Sequence, residues 1–231
     1  MNWLIIVAGG KGQRMDLGFN KIFAKLGKFP LLYWTILAFE KSKIVENIII
    51  SASSEDVRKI KALVKKHGFK KVRDVIKASS TRQQSTFAVL EMVKSKIKKG
   101  ELVGVHNAAN PFVTANEIKK VYFAAKKHGA ALLAQAAKDT VKITNDKGLV
   151  DKTPPRHYSW YAQTPQVAIF ANLWRAFLAA QRENFAGTDD AQLLERIGIK
   201  PKIVPCSHQN IKITFPEDLI TAKHILKTWA E

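Results

Sequence analysis

"WLIIVAGGKGQRM", residues 3–15, decides how the chain is read. Its first six residues, "WLIIVA" (3–8), are apolar without alternation and run straight into a glycine-rich turn. A short apolar run rich in branched side chains and closed by glycine reads as a strand buried on both faces, as parallel sheets require. The turn "AGGKGQRM" (8–15), with "GFNK" (18–21) behind it, sets Gly9, Gly10 and Gly12 beside Lys11, Arg14 and Lys21. Glycines let backbone N–H groups close on an anion, and the cations add charge around the same volume, so the segment reads as a phosphate cradle. Neither common cradle motif fits: the G-x-x-x-x-G-K-[ST] spacing is absent, and Met15 stands where G-x-G-x-x-G needs its last glycine. A glycine-rich loop alone also occurs as a plain tight turn.

Outward from this start, short β-branched runs alternate with longer segments of helical period. Strands are expected at 3–8, 46–52, 71–76, 101–106, 131–137, 164–170 and 202–206. Helices are expected at 31–41, 55–67, 81–97, 115–128, 171–183, 188–197 and 216–229. That alternation predicts an α/β fold of three layers with a mostly parallel, Rossmann-like sheet. The stretch "KDTVKITNDKGLVDKTPPRHYSWYAQTPQ" (138–166) breaks the rhythm with strand-like alternation, an "NDKG" turn and two prolines. It reads as a protruding β-hairpin arm, and an exposed hairpin commonly needs a partner surface, so a dimer arm is expected.

Composition narrows the classes. At 231 residues and 46% hydrophobic residues the chain can bury an ordinary core. Its apolar runs fall well short of the roughly 20 residues that span a bilayer, and no basic leader precedes them, so no membrane partner and a cytoplasmic location are expected. The one cysteine, Cys206, cannot form an internal disulfide and reads as a small core residue. Lys and Arg number 38 against 19 Asp and Glu, a formal +19, which attracts polyanions of any kind. Much of that excess lies in pairs on expected helices ("VKKHG", "IKKVYFAAKKHG") without interleaved aromatics, so specific nucleic-acid binding is not expected.

Eight short motifs run in order: "AGGKGQRM", "NK" (20–21), "TRQQS" (81–85), "VHNAANPFV" (105–113), "KDTVK" (138–142), "QTPQ" (163–166), "TDDA" (188–191) and "NIKIT" (210–214). In this order and spacing the chain resembles the 2-C-methyl-D-erythritol 4-phosphate cytidylyltransferases over essentially its whole length. A related family, the ribitol 5-phosphate cytidylyltransferases, shares most of the pattern. The resemblance implies one nucleotidyltransferase domain over 1–231, with 138–163 as a dimerisation arm. It also implies CTP and a polyol phosphate as substrates, Mg2+ as the cofactor, and a homodimer. The reaction it implies is in-line attack of a sugar-phosphate oxygen on the α-phosphorus of CTP, releasing pyrophosphate, a step that asks a protein to align two anions and to stabilise charge.

The same resemblance assigns roles. Arg14 and Lys21 match cations that stabilise the transition state and leaving pyrophosphate, and Lys212 one that neutralises the α-phosphate. Read without it, each is an ordinary surface cation. Ser85 matches a serine that hydrogen-bonds cytosine, and Ala8, Gly9, Gly10, Lys11, Gly12, Ser79 and Ala108 fall in segments that pack on the nucleotide. Ser85 equally suits a first-turn serine bonded to its own helix backbone. Where a glycine pair is usual the chain has Ser79 and Ser80. Thr140 and Arg156 match positions that hold the alcohol phosphate, the arginine reaching into a neighbouring subunit, and Thr164 matches one that either orders the arm or touches the substrate; alone, Arg156 reads as a loop charge. Asp189 and Asp190 read as charge at a helix N-terminus rather than as a metal site, and no metal ligand is assigned.

Two positions depart. The pattern is V-H-D-A-A-R-P, and this chain has Asn107 and Asn110 in place of the aspartate and arginine. Both positions are counted with the substrate-binding residues. An amide is a far weaker ligand for Mg2+ than a carboxylate. Loss of one negative and one positive charge together suggests that the two form a pair, whose hydrogen bond amides can keep. Three consequences stay open: a slower enzyme needing more Mg2+, a different acceptor alcohol, or a homologue that binds nucleotide, or RNA, with little turnover.

Overall fold

Strand β1 (Asn2–Ala8) faces two cores at once: Leu4, Ile6 and Ala8 point to one, Trp3, Ile5 and Val7 to the other. This is the two-sided burial that its unbroken apolar run requires. The computed structural model describes residues 1–10, 15 and 18–229. After β1 come a short hairpin, β2 (Lys25–Leu26) and β3 (Phe29–Pro30), then α1 (Leu31–Lys41), β4 (Asn47–Ala52), α2 (Ser54–His67), β5 (Val72–Lys77) and α3 (Arg82–Val93). The chain continues with β6 (Leu102–Asn107), α4 (Ala115–His128) and β7 (Ala130–Ala136). The arm follows, carrying β8 (Ile143–Thr144) and β9 (Val150–Lys152). Last are β10 (Trp160–Ile169), α5 (Phe170–Arg182), α6 (Asp190–Arg196), β11 (Lys202–Pro205) and α7 (Pro216–Trp229).

Seven strands form one sheet in the order β11-β7-β10-β6-β1-β4-β5, in which β10 is antiparallel to both neighbours and every other pairing is parallel. Helices α1, α2 and α4 cover one face through Ile36, Phe39, Ile60 and Val121, and α3, α5 and α6 cover the other through Leu90, Phe177 and Leu193. A third cluster seats α7 on the loop after β6 through Ala109, Phe112, Ile213, Ala222 and Ile225. This is the expected three-layer sheet with a protruding hairpin.

The boundaries differ in informative ways. The helix expected over 81–97 ends at Val93, but turns carry the chain on so that Ile97 still enters the core. The strand expected from 164 starts at Trp160, because Pro165 does not end it: the ladder with β7 shifts between Ala162 and Gln166, and Pro165 falls at that irregularity. The β2–β3 hairpin is not predicted at all, since two-residue strands carry no period. Cys206 is half-buried as a small residue would be, its thiol pushed up to about 12 chiefly by burial.

His106, on β6, is fully buried against the Phe39 ring, with centroids 4.8 Å apart, and its Nε2 donates to Asn110 O at 2.9 Å. Burial pushes its pKa from 6.5 down to about 4, so the ring is neutral in the fold. Between those two values the unfolded chain binds the extra proton, so stability is full above the unfolded value and is lost as pH falls through the window. From pH 7 to pH 5 this group alone is expected to remove about 2 kcal/mol of unfolding free energy. Urea denaturation at the two pH values checks it: in His106→Gln that share of the pH dependence should vanish, whereas an unchanged slope would place the titration elsewhere.

Candidate functional site

The order of the sheet creates a crevice. From β1 the chain steps outward through β4 and β5, then returns to lay β6 on the other side of β1. Where strand order reverses, the connections leave in opposite directions and a gap opens beyond the carboxyl ends, the usual ligand position in such sheets. Register brings Val7 opposite Asn107, Ala8 opposite Ala52, and Ala52 opposite Lys77, so four strands finish at one edge. Ala108 N extends the β1–β6 ladder by donating to Val7 O at 3.0 Å.

Beyond β1, Gly9 passes so close to the segment after β5 that a Cβ there would lie 2.7 Å from the Ala78 methyl. The glycine is therefore a packing requirement. Ser79 lies beside the first turn of α3, which Thr81 caps by accepting from Gln84 N at 3.1 Å. Buried Ser85 donates to Thr81 O at 2.6 Å and accepts from Ser79 N at 3.0 Å. Its hydroxyl thus holds the 79–81 turn, as its first-turn position allows.

The cations stand on separate supports. Lys21 starts a one-turn 3-10 helix capped by Asn20, whose Nδ2 donates to the buried Asp56 carboxylate at 2.8 Å. Lys212 is exposed on the irregular segment between β11 and α7, where the neighbouring Ile213 N donates to Ala109 O at 2.9 Å. Lys11, Gly12 and Arg14 lie outside the described residues.

Asn107 and Asn110 are joined: Asn107 Nδ2 donates to Asn110 Oδ1 at 3.2 Å, the hydrogen bond expected of an amide pair. Asn107 Oδ1 accepts from Arg82 Nε at 3.4 Å. Arg82 Nη2 in turn pairs at 2.6 Å with Asp190, whose side chain is 2% exposed. Burial opposes the charge on Arg82, but Asp190 and Asp189 outweigh it and the guanidinium holds its proton more firmly than usual. Asp189 caps α6 by accepting from Gln192 N at 2.9 Å, the helix-terminal role expected of it, and Asp190 goes further by anchoring Arg82.

Thr164 is buried beside this edge, with Oγ1 accepting from Asn107 N at 3.3 Å. Thr140 and Arg156 lie on the arm, both exposed, and Arg156 donates to Lys138 O at 3.4 Å. The structure thus brings Ala8, Gly9, Gly10, Asn107, Ala108, Asn110 and Thr164 to one edge, and leaves the arm residues outside it within one chain. Sequence reasoning passed over Arg82, Gln163 and Asn210, although each stands inside a motif it quoted.

Residues 3–228 match the family model described as 2-C-methyl-D-erythritol 4-phosphate cytidylyltransferase. A relative bearing that description in Alkaliphilus metalliredigens is 42% identical over 224 residues, 96% of this chain and 92% of the other. One in Geobacter metallireducens is 36% identical over 224 residues, 96% of each chain. A crystal structure of 4-diphosphocytidyl-2C-methyl-D-erythritol synthase from Anaerococcus prevotii superposes with a TM-score of 0.85 at 31% identity, covering 98% of this chain and 96% of that one.

Proposed function

Since the chain belongs to the 2-C-methyl-D-erythritol 4-phosphate cytidylyltransferase family, we propose that it joins CTP to that alcohol phosphate, giving the CDP-linked alcohol and pyrophosphate for isoprenoid synthesis. The observation that supports the reading is the reversal of strand order about β1, which brings Ala8 to Gly10, where the glycine-rich turn begins, and Asn107 to the carboxyl ends of neighbouring strands.

In this reading the backbone of Ala8, Gly9 and Gly10, with Lys11 and Gly12, borders the nucleotide, and Ser79 and Ser85 form the turn that faces its base. The cytosine edge needs donors and acceptors held still, and Ser85 achieves that by fixing the Ser79 amide. Arg14, Lys21 and Lys212 carry the charge of the α-phosphate and the leaving pyrophosphate, a task suited to cations already in place before reaction. The acceptor phosphate meets Asn107, Asn110 and Thr164, with Thr140 and Arg156 supplied by the arm. A guanidinium pairs with two phosphate oxygens at once, which suits Arg156 to a terminal phosphate.

A divalent cation, Mg2+, accompanies the triphosphate in this proposal. Among the described residues no three His, Cys, Asp or Glu side chains stand together, and Asn107 Oδ1 is already bonded to Arg82. Those residues do not build a cation site, so the ligands fall to triphosphate oxygens and water, as is common for Mg2+.

We place the whole of 1–231 in one nucleotidyltransferase domain, with 138–163 as the arm of a homodimer. The arm exposes Ile143, Leu149, Val150, Tyr158 and Tyr161, and its two-stranded sheet is too small to be stable unsupported. Among the described residues no helix is long and apolar enough to cross a membrane. That fits the cytoplasmic location proposed for an enzyme of nucleotide substrates.

Pyrophosphate release from CTP is expected with 2-C-methyl-D-erythritol 4-phosphate and not with ribitol 5-phosphate; the reverse preference would reassign the acceptor. In Lys21→Ala, kcat should fall by about 100-fold or more, the usual cost of a lost transition-state partner, while a normal kcat would remove Lys21 from the reaction. Sedimentation of Leu149→Asp/Val150→Asp should give monomers with activity lowered at least about tenfold, since each site would lose its partner's arm. Active monomers would show that one chain completes the site.

A further inference from the structure

Lys212 sits on a segment with no regular structure, between β11 and α7, yet the residue two places earlier, Asn210, is completely buried. Its backbone and side chain are both engaged. Asn210 N donates to Ser207 O at 3.0 Å, and Asn210 O accepts from Gln135 Nε2 at 3.3 Å. Its side-chain Nδ2 donates to Thr164 O at 3.1 Å, and its Oδ1 accepts from Asn110 Nδ2 at 3.5 Å. The same Asn110 Nδ2 also reaches Gln163 Oε1 at 3.4 Å.

Followed from Arg82, these contacts all point one way. Arg82 Nε donates to Asn107, Asn107 donates to Asn110, Asn110 donates to Asn210, and Asn210 donates to the Thr164 carbonyl. The first member can only donate and the last can only accept. In the chain as it stands, each member between them accepts on one side and donates on the other. An amide does this; a carboxylate cannot donate and a guanidinium cannot accept.

We infer that Asn210, the last side chain of this relay, positions Lys212, and that matched donors and acceptors along the relay are the reason Asn107 and Asn110 occur together. An aspartate at 107 alone would set carboxylate oxygens against Asn110 Oδ1. An arginine at 110 alone would set donors against Asn107 Nδ2. Introduced together they leave every contact matched, with the 107–110 bond inverted: the carboxylate accepts from Arg82 and from the new guanidinium, which donates on to Asn210. The exchange of the pair is also neutral in net charge. Asn107 and Asn110 are thus matched to each other in hydrogen bonding, as an aspartate and an arginine at the same two positions would be.

The catalytic half of this inference rests on the cytidylyl-transfer reading; the relay does not. Four variants, Asn107→Asp, Asn110→Arg, the double variant and Asn210→Asp, would be compared with the unaltered protein by thermal melting, by calorimetric titration with CTP, and by steady-state pyrophosphate release. Each of the first two alone should melt earlier and lose about tenfold or more in kcat, and the double should return to within about threefold of the unaltered protein. A single variant that fails to fold while the double folds gives the same answer. Asn210→Asp cannot donate to Thr164 O, so its kcat should fall about tenfold or more with CTP affinity held within about threefold, because Lys212 is displaced and the nucleotide's other contacts are kept.

Asn107→Asp as stable and active as the unaltered protein would overturn the relay, as would a double variant no better than its worse parent or one that does not fold. An unchanged kcat in Asn210→Asp would overturn the positioning of Lys212. An unaltered protein that turns over neither alcohol phosphate would instead defeat the functional reading, and the melting comparison would still decide the relay.

Discussion

Parallel pairing on both sides of β1 governs the rest of the molecule. Parallel strands need long crossovers that cover both faces, so β1, β4 and β6 are buried and, with the edge strand β5, bring their carboxyl ends to one edge. Reversal of strand order on the two sides of β1 then makes that edge the usual ligand position of such sheets. The glycine at position 9 is a consequence: the turn leaving β1 has to pass within contact distance of Ala78, leaving no space for a Cβ.

Charge is distributed around this edge in an uncommon way. The proposed function gives the phosphates to cations, whereas Asn107 and Asn110 at the end of β6 are neutral amides, with the Asp190 carboxylate turned to Arg82 and buried. Such amides do not compete with triphosphate for cations. The formal +19 of the chain acts in the same sense at long range, since a positive field raises the local concentration of anionic substrates and falls off with salt. His106 fits the pattern, because burial keeps it uncharged directly beneath the amides.

How much could be read from the sequence follows from how far each signal reaches along the chain. Trp3 to Ala8 announces a doubly buried strand because six neighbours carry the signal together, and the helix covering 115–128 is legible from its apolar period for the same reason. Two-residue strands such as Lys25–Leu26 have no period to detect. Pairings across the fold are invisible to local pattern: Arg82 meets Asp190 across 108 positions, and Asn110 meets Asn210 across 100. Asn107 and Asn110 drew notice only as departures from a family pattern, and what the departure means needed the direction of hydrogen bonds that no sequence states. Thr140 and Arg156 lie exposed on the arm, and no local pattern states what such an arm meets.

Amide hydrogen exchange with and without CTP tests the crevice most directly, because it reports position along the whole chain without presuming turnover. The account predicts slower exchange on CTP binding in segments 8–10, 79–85 and 107–110, with the arm unaffected until the alcohol phosphate is added. Protection confined to the lysine-rich groove of Lys120, Lys127 and Lys202 between α4 and β11, with the β1–β6 edge exchanging as before, would contradict it.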